Sequence, residues 1–195
     1  MLSIVVVNNP KDWVIKINNV EIVSAKTYVT DSRFAEIESA RIYNLCRSYR
    51  YQSIGYYVSL LAEARGHKVF PSVTTIQDLK SQTVIRISSD ELEQLLQKSL
   101  SKLKSNSFTL QIYFGKSVTK QYDNLSRQLF ELFQAPILSA NFVFNKKWIL
   151  QNISPLSLND IPEQHLQHVT KCASEYFSKK RVRPLKRSNT IYDLA

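Results

Sequence analysis

Residues 53–71 read SIGYYVSLLAEARGHKVFP, and this stretch decides the first half of the fold. Ser53 is a favourable N-cap, and Gly66 stands where a helix C-terminus favours a left-handed residue. Between them, apolar side chains recur at helical spacing, at Ile54, Tyr57, Val58 and Leu61. Residues 67–70 follow as a short apolar segment that ends at Pro71. The stretch therefore predicts an amphipathic helix and then a strand.

A further strand precedes this helix. Residues 41–46 are rich in β-branched and aromatic side chains, which favour a pleated surface. Strand, helix and strand form a βαβ unit, which implies a parallel pair with a right-handed crossover. Residues 4–7, 13–15 and 20–23 add extended segments, and residues 30–32 could cap a short helix that runs through Ile37. The first half is predicted to be a small Rossmann-like α/β unit.

A second helix is predicted to start at Ser88, because Glu91 three residues later completes a capping box. Its buried positions are predicted to be Leu92, Leu95, Leu96, Leu100 and Leu103. The polar residues 104–107 that follow are predicted to join two subdomains.

The second half predicts the order βαββα, which is an α+β pattern rather than a continued Rossmann alternation. It comprises a strand at 108–114, a helix, two strands around residues 145–147, and a last helix capped by Asp160 with Pro162 in its first turn. The first of these helices is predicted to bury Tyr122, Leu125, Leu129 and Phe133, and the second Leu166, Val169, Ala173 and Phe177. The fold prediction is thus an α/β protein with subdomains at 1–104 and 105–180, followed by a basic segment at 181–195.

The net charge of +10 and the isoelectric point of about 9.6 raise the possibility of nucleic-acid binding. Six of the positive charges lie within residues 179–187, however, and leave +4 for the rest of the chain. Such a basic segment is more often a solvated linker than a nucleic-acid contact. Nucleic-acid or ribosome binding is therefore a secondary alternative.

Catalytic and metal-binding patterns are scarce. The chain has three glycines, too few for a glycine-rich phosphate loop, and no established nucleophile or metal motif. The pair His165 and His168 is predicted to lie on a solvated helix face rather than to bind a metal. Cys46 and Cys172 are predicted to be buried thiols, since no secretion signal or Cys-x-x-Cys motif occurs. We expect a cytoplasmic chain with no membrane span, no catalytic residues, no metal and no cofactor of its own.

One segment predicts a binding site, because it lies between a parallel strand and the N-terminus of its helix, where open α/β sheets usually bind ligands. The helix N-terminus and two guanidinium groups favour a carboxylate or a phosphate. The candidate residues are Arg47, Tyr49, Arg50, Tyr51, Gln52 and Ser53, with Ser72 and Thr74 from the next loop. The alternative is that both arginines pair with acids such as Glu63 or Asp78 and that the tyrosines are core residues.

Residues 44–67, NLCRSYRYQSIGYYVSLLAEARGH, closely resemble the hallmark segment of the RimK-like ATP-grasp N-terminal domain family. Residues 71–79 resemble that family's following motif, and residues 4–10 and 112–115 fit as well. The resemblance extends to about Arg181. It implies an α+β domain that is usually fused to a C-terminal ATP-grasp ligase, for which no catalytic roles carry over.

Such ligases use ATP and magnesium to convert a carboxylate into an acyl phosphate, which an amine attacks to form an amide. Residues 191–195 resemble the start of the strand that opens the ligase half, so the resemblance implies that 181–195 is a linker leading into an ATP-grasp domain absent from this sequence. We expect a non-catalytic accessory domain that recognises an acidic small molecule, peptide or partner. The alternative is a protein–protein docking or oligomerisation module without a ligand site.

Overall fold

The computed structural model describes residues 2–17 and 20–178, and residues 181–195 lie outside this part. The strands are β1 (Leu2–Val7), β2 (Glu21–Ser24), β3 (Ala40–Asn44), β4 (Lys68–Phe70), β5 (Ser107–Tyr113), β6 (Ile137–Asn145) and β7 (Lys147–Pro155). The α-helices are α1 (Ala25–Thr30), α2 (Ile54–Ala64), α3 (Val73–Asp78), α4 (Gln82–Glu91), α5 (Glu93–Leu100), α6 (Asp123–Leu132) and α7 (Leu166–Ser178). Short 3₁₀ segments cover Pro10–Asp12, Ser32–Phe34, Lys120–Tyr122, Leu158–Asp160 and Glu163–His165.

The first sheet has the strand order β2-β1-β3-β4, and all its neighbours are parallel. Val5 of β1 lies opposite Tyr43 of β3, and Ile42 of β3 lies opposite Val69 of β4. The predicted Rossmann-like first half with its parallel β3–α2–β4 unit is confirmed.

The second sheet is antiparallel, with the order β5-β6-β7. Strands β6 and β7 form a hairpin whose turn residue, Lys146, has a left-handed φ of 62°. With α6 between β5 and β6 and α7 after β7, the predicted βαββα order is confirmed.

Helix α2 ends as its sequence predicts. Gly66 has a φ of 73°, its N–H donates to the Glu63 carbonyl at 3.0 Å, and the His67 N–H donates to the Ala62 carbonyl at 2.9 Å. These two bonds form a Schellman motif, which satisfies carbonyl groups that the helix end would otherwise leave unpaired. The motif turns the chain directly into β4.

Alternation along β1 separates the two sides of the parallel sheet. Ile4 and Val6 pack in a cluster with residues of α1 and α2, whereas Val5 and Val7 pack in another with residues of α7. A third cluster covers the antiparallel sheet and includes residues of α4, α5 and α6. Helices α4 and α5 thus pack with the second sheet although they precede residue 104, and a subdomain boundary at 104 stays a prediction. No helix in the described part combines the length and apolarity that a membrane crossing requires.

The predicted helix start at Ser88 is wrong. Ser88 is buried within α4, which begins at Gln82 after the N-cap Ser81, and α5 then begins at Glu93. The helix extends upstream because Ile85 is fully buried against the antiparallel sheet, so tertiary packing outweighs the local capping pattern.

One other predicted boundary is wrong, and one helix was not predicted. Asp160 does not cap the last helix but ends a 3₁₀ segment, and α7 begins only at Leu166. Between β2 and residue 31, the structure has helix α1, which the sequence pattern did not indicate. Ser24 caps α1, since its Oγ accepts the Thr27 N–H at 2.9 Å.

Candidate functional site

The candidate site is the loop of residues 45–53, which connects β3 to α2. It leaves the sheet at the carboxyl end of β3, beside the carboxyl end of β1. Strand β2 flanks β1 on one side and β3 flanks it on the other, so the connections diverge here. Such a switch point is where open parallel sheets form a ligand crevice.

Asn44, the last residue of β3, fixes the position of this loop through its side-chain hydrogen bonds. Its side chain is fully buried, and its Nδ2 donates to the Gly55 carbonyl at 2.7 Å and to Ser59 Oγ at 2.9 Å. Its Oδ1 accepts the N–H of Cys46 at 3.2 Å. Ser59 Oγ in turn donates to the Pro71 carbonyl at 2.7 Å. This network joins β3, the loop, α2 and the start of α3, and it holds the loop backbone in place.

Gly55 allows the loop to lie directly on the first turn of α2. A Cβ at this position would lie 2.3 Å from the Ser48 carbonyl oxygen and 2.7 Å from Cys46 Cβ. Both distances are far below van der Waals contact. The glycine is required for close backbone approach, since its φ is not left-handed.

Arg47 is held on the β1 side of the loop. Its backbone N–H donates to Asn8 Oδ1 at 2.7 Å, and its guanidinium Nη2 lies 2.8 Å from Asp12 Oδ2. When the Asn159 amide is oriented with its oxygen toward Arg47, that oxygen accepts from Nη2 at 2.8 Å. The Arg47 side chain remains 53% exposed and that of Asp12 is 20% exposed, so their ion pair is partly solvated. Ion pairs at the protein surface contribute about 0–1 kcal/mol.

Arg50 is exposed, and among the described residues its guanidinium has no hydrogen-bond or ion-pair partner. Its backbone is fixed, because its carbonyl accepts the Ser53 N–H at 2.9 Å and its N–H donates to Ser48 Oγ at 3.3 Å. A cation this close to a helix N-terminus is disfavoured by the helix dipole. Arg50 is therefore the group of this loop that is most available to an anion.

The remaining predicted residues of the loop differ in role. Tyr49 is half-buried, and its OH donates to the Asn44 carbonyl at 2.6 Å, while burial raises its pKa well above the usual value. Tyr51 is 73% exposed, with its ring 5.5 Å from that of Tyr56. Gln52 is exposed with a left-handed φ of 65°. Ser53 caps α2, as its sequence position predicts, by accepting the Tyr56 N–H at 3.3 Å.

Ser72 and Thr74 lie in the connection after β4. Ser72 is the N-cap of α3, where its Oγ accepts the Thr75 N–H at 3.0 Å, so its hydroxyl has a structural partner. Thr74 is exposed on the first turn of that helix. The Arg47 guanidinium contacts Asp12, which follows β1, whereas the Ser72 hydroxyl caps α3, which follows β4. That all these side chains share one cleft stays a prediction.

Sequence patterns missed Asn44 and Asp12. Asn44 is embedded in a predicted strand, and the only available signal was an amide in an otherwise apolar segment. Asp12 is 35 residues away from Arg47 along the chain, and Glu63, one of the acids considered as an arginine partner, instead accepts the Val73 N–H at 3.1 Å.

The histidines of the last helical region are not on a solvated face, which corrects that prediction. His165 is half-buried, with Nδ1 2.9 Å from the Tyr113 OH, and His168 Nε2 lies 3.2 Å from Cys172 Sγ. Burial lowers the pKa of His168, although the carboxylate of Asp123 opposes this shift. Within residues 2–17 and 20–178, no group of three or more His, Cys, Asp or Glu side chains is placed to hold a metal ion.

Both cysteines are free and buried, which confirms the thiol prediction. Burial raises the pKa of Cys46 to about 12 and that of Cys172 to about 11. At neutral pH both are protonated thiols, a form that is a poor nucleophile.

Among solved structures, the chain is similar to a RimK domain ATP-grasp protein from Sphaerobacter thermophilus, at 7% identity and a TM-score of 0.49, over 89% of this chain and 98% of that one. It is also similar to the ATP-grasp ligase PsnB complexed with minimal precursor, at 8% identity and a TM-score of 0.46, over the same shares. No curated protein matches by sequence. The model of the RimK-like ATP-grasp N-terminal domain matches residues 25–172, which is more than half of the sequence, and the chain therefore belongs to that family.

Proposed function

We propose that this chain is a non-catalytic accessory domain of an ATP-grasp carboxylate–amine ligase and that it binds an acidic substrate, peptide or partner beside the N-terminus of α2. ATP and magnesium would be bound by a C-terminal ATP-grasp domain of the same polypeptide, in the cytoplasm. Amide formation would take place in that domain. The observation that carries the proposal is the exposed guanidinium of Arg50, which has no partner within residues 2–17 and 20–178, on a loop with a fixed backbone.

The physical support lies in the surroundings of Arg50. A carboxylate there would offset the unfavourable interaction between the guanidinium and the dipole of α2. Arg47 could contribute a second guanidinium if the incoming anion displaced Asp12, because the Arg47 side chain is 53% exposed and surface ion pairs contribute little. Planar guanidinium groups suit carboxylates, since they donate two parallel hydrogen bonds.

Arg50→Ala should weaken binding of a triglutamate peptide about five- to tenfold, because a charge-assisted hydrogen bond is lost at a site that water still screens. Arg50→Lys should restore little of the loss, since an ammonium cannot reproduce the bidentate contact. Isothermal titration calorimetry at low ionic strength measures both effects.

Arg86→Ala is the matched control. Arg86 is an exposed arginine on α4, so this variant makes the same change in net charge away from the loop. Equal losses for Arg50→Ala and Arg86→Ala would show that triglutamate responds only to net charge, and the proposed site would then be wrong.

A second function, that of a docking or oligomerisation module, is favoured by an apolar surface on α2 and on the loop before it. Its exposed side chains are Tyr51 of the loop at 73%, and Ile54 at 37%, Tyr57 at 41% and Leu60 at 40% on α2. Contiguous exposed apolar surface of this kind often marks a protein-binding face. Self-association in sedimentation velocity that Tyr57→Glu abolishes would favour this function over the anion site.

The nucleic-acid alternative would require a basic stripe on the folded body. Several of the described basic residues are instead paired with acids, namely Arg33 with Glu21, Arg47 with Asp12, Lys116 with Glu175 and Lys147 with Glu93. These pairs reduce the positive potential that such a stripe would need.

A further inference from the structure

A cleft of about 390 Å³ lies between helix α4 and strand β7. Its α4 side includes Arg86, Ser89 and Asp90, and its β7 side includes Ile149 and Gln151. Clefts that bind small molecules have volumes of about 300–1,000 Å³, so this one is large enough for a small ligand. It lies against the antiparallel sheet, away from the loop of residues 45–53 on the parallel sheet.

Two opposite charges line the cleft without neutralising each other. Arg86 and Asp90 are exposed and lie one helical turn apart on α4. Neither side chain forms an ion pair or a hydrogen bond with any residue in the described part of the chain. An arginine that precedes its acid by four residues is the less favourable order for a helical ion pair. Lys147, whose charge also interacts with Asp90, is itself paired with Glu93. Both charged groups are therefore available to a ligand.

Ser89 lines the same cleft and has an unused hydrogen-bond donor. The residue is 5% exposed, and its Oγ accepts the Leu150 N–H at 2.9 Å. A hydroxyl can also donate its own proton, and no residue within 2–17 and 20–178 accepts it. Leaving a buried donor without an acceptor costs about 1–3 kcal/mol, so an oxygen atom of a ligand would be stabilised beside Ser89.

A β-bulge shapes the β7 side of the cleft. Asn141 of β6 lies opposite Asn152, and Phe142 lies opposite Leu150, so Gln151 is an extra residue without a partner in β6. Bulges of this kind are common beside functional sites, because they redirect a side chain. Gln151 is exposed and lines the cleft, where its amide can exchange hydrogen bonds with a ligand.

We infer that this cleft binds a free α-amino acid with an apolar side chain. Arg86 and the Ser89 hydroxyl would bind the carboxylate, and Asp90 would bind the ammonium group. Half-buried Ile149 would contact the apolar side chain. A zwitterion satisfies both charges of the cleft, whereas a simple anion or cation is attracted by one and repelled by the other. This site is separate from the loop at Arg50 and goes beyond the proposed function.

The test measures binding of L-leucine to the full 195-residue chain by two-dimensional NMR. We expect saturable shifts of backbone amides in α4 and at residues 149–151. N-acetyl-leucine lacks the ammonium group and leucinamide lacks the carboxylate, so each should bind about five- to tenfold more weakly. Glycine has no side chain to contact Ile149, and it should bind about fivefold more weakly than leucine.

Two charge-matched variants locate the ammonium contact. Asp90→Asn should weaken leucine binding about five- to tenfold and should not weaken binding of N-acetyl-leucine, which has no ammonium group. Glu91→Gln makes the same change in net charge at the next residue of α4, which does not line the cleft, and should leave leucine binding unchanged. Arg50→Ala should also leave it unchanged, which separates the two sites. Triglutamate has a net negative charge that Asp90 repels, so Arg86→Ala remains a control for the loop at Arg50.

Equal affinities for leucine, N-acetyl-leucine and leucinamide would overturn the inference, and this comparison does not depend on any variant folding. The absence of shifts in α4 and at residues 149–151 at about 10 mM leucine would overturn it as well. Equal affinities for glycine and leucine would contradict the apolar class of ligand. Equal losses for Asp90→Asn and Glu91→Gln would show that only net charge matters, and the site would then be wrong.

Discussion

Asn44→Ala should lower the free energy of unfolding by about 3–5 kcal/mol and release the loop of residues 45–53. The substitution leaves the Cys46 N–H without an acceptor, at a cost of about 1–3 kcal/mol, and removes two further bonds of about 1 kcal/mol each, to Gly55 and Ser59. Chemical denaturation measures the stability loss, and amide exchange at Cys46 reports on the loop.

The matched control is Asn141→Ala. Asn141 is a half-buried asparagine of β6 whose side chain accepts a hydrogen bond from Thr109 Oγ1 at 2.9 Å. Its loss should cost about 1 kcal/mol or less. A cost for Asn44→Ala no greater than that of the control would contradict the role assigned to the Asn44 network.

Gly55→Ala should destabilise the protein by about 1–3 kcal/mol, because the new Cβ would overlap the Ser48 carbonyl and Cys46. Helix propensity alone predicts the opposite sign, since alanine is favoured over glycine within a helix by about 1 kcal/mol. The sign of the change in the unfolding midpoint therefore decides between local propensity and loop packing.

Gly66→Asn serves as the comparison for Gly55→Ala. Gly66 has a left-handed φ of 73° and no atom within 4 Å of an added Cβ, so the position requires a conformation rather than space. Asparagine adopts that conformation at a modest cost. A Gly55→Ala variant at least as stable as the unmodified protein would show that the loop does not lie against α2 as described.

The sequence predicted those parts of the fold that depend on interactions between residues close together in the chain, and not those that depend on contacts between distant residues. Helix α2, its cap Ser53 and its Gly66 terminus were predictable, because capping and left-handed glycine are local effects. The start of α4 was not, because the burial of Ile85 against the second sheet is a tertiary effect. The packing of α4 and α5 on a sheet formed by later residues has the same long-range origin.

The candidate site was predictable in place but not in detail. A strand followed by an arginine-rich loop and a capped helix indicated where the sheet opens, and the structure has that loop at the switch between β1 and β3. The pairing of Arg47 with Asp12 depends on how β1 and β3 lie side by side, which no local pattern encodes. Ser72 likewise could be placed after β4, but not identified as the cap of α3 from its neighbours alone.

The most direct test of the proposed anion site is a two-dimensional NMR titration of the 195-residue chain with triglutamate at low ionic strength. The account predicts saturable shifts of the backbone amides of residues 47–54 and of the Arg50 Nε–H. The Arg50→Ala chain should need about five to ten times more peptide to reach the same amide shifts. No shift in the 47–54 loop at a saturating concentration of peptide would contradict the account.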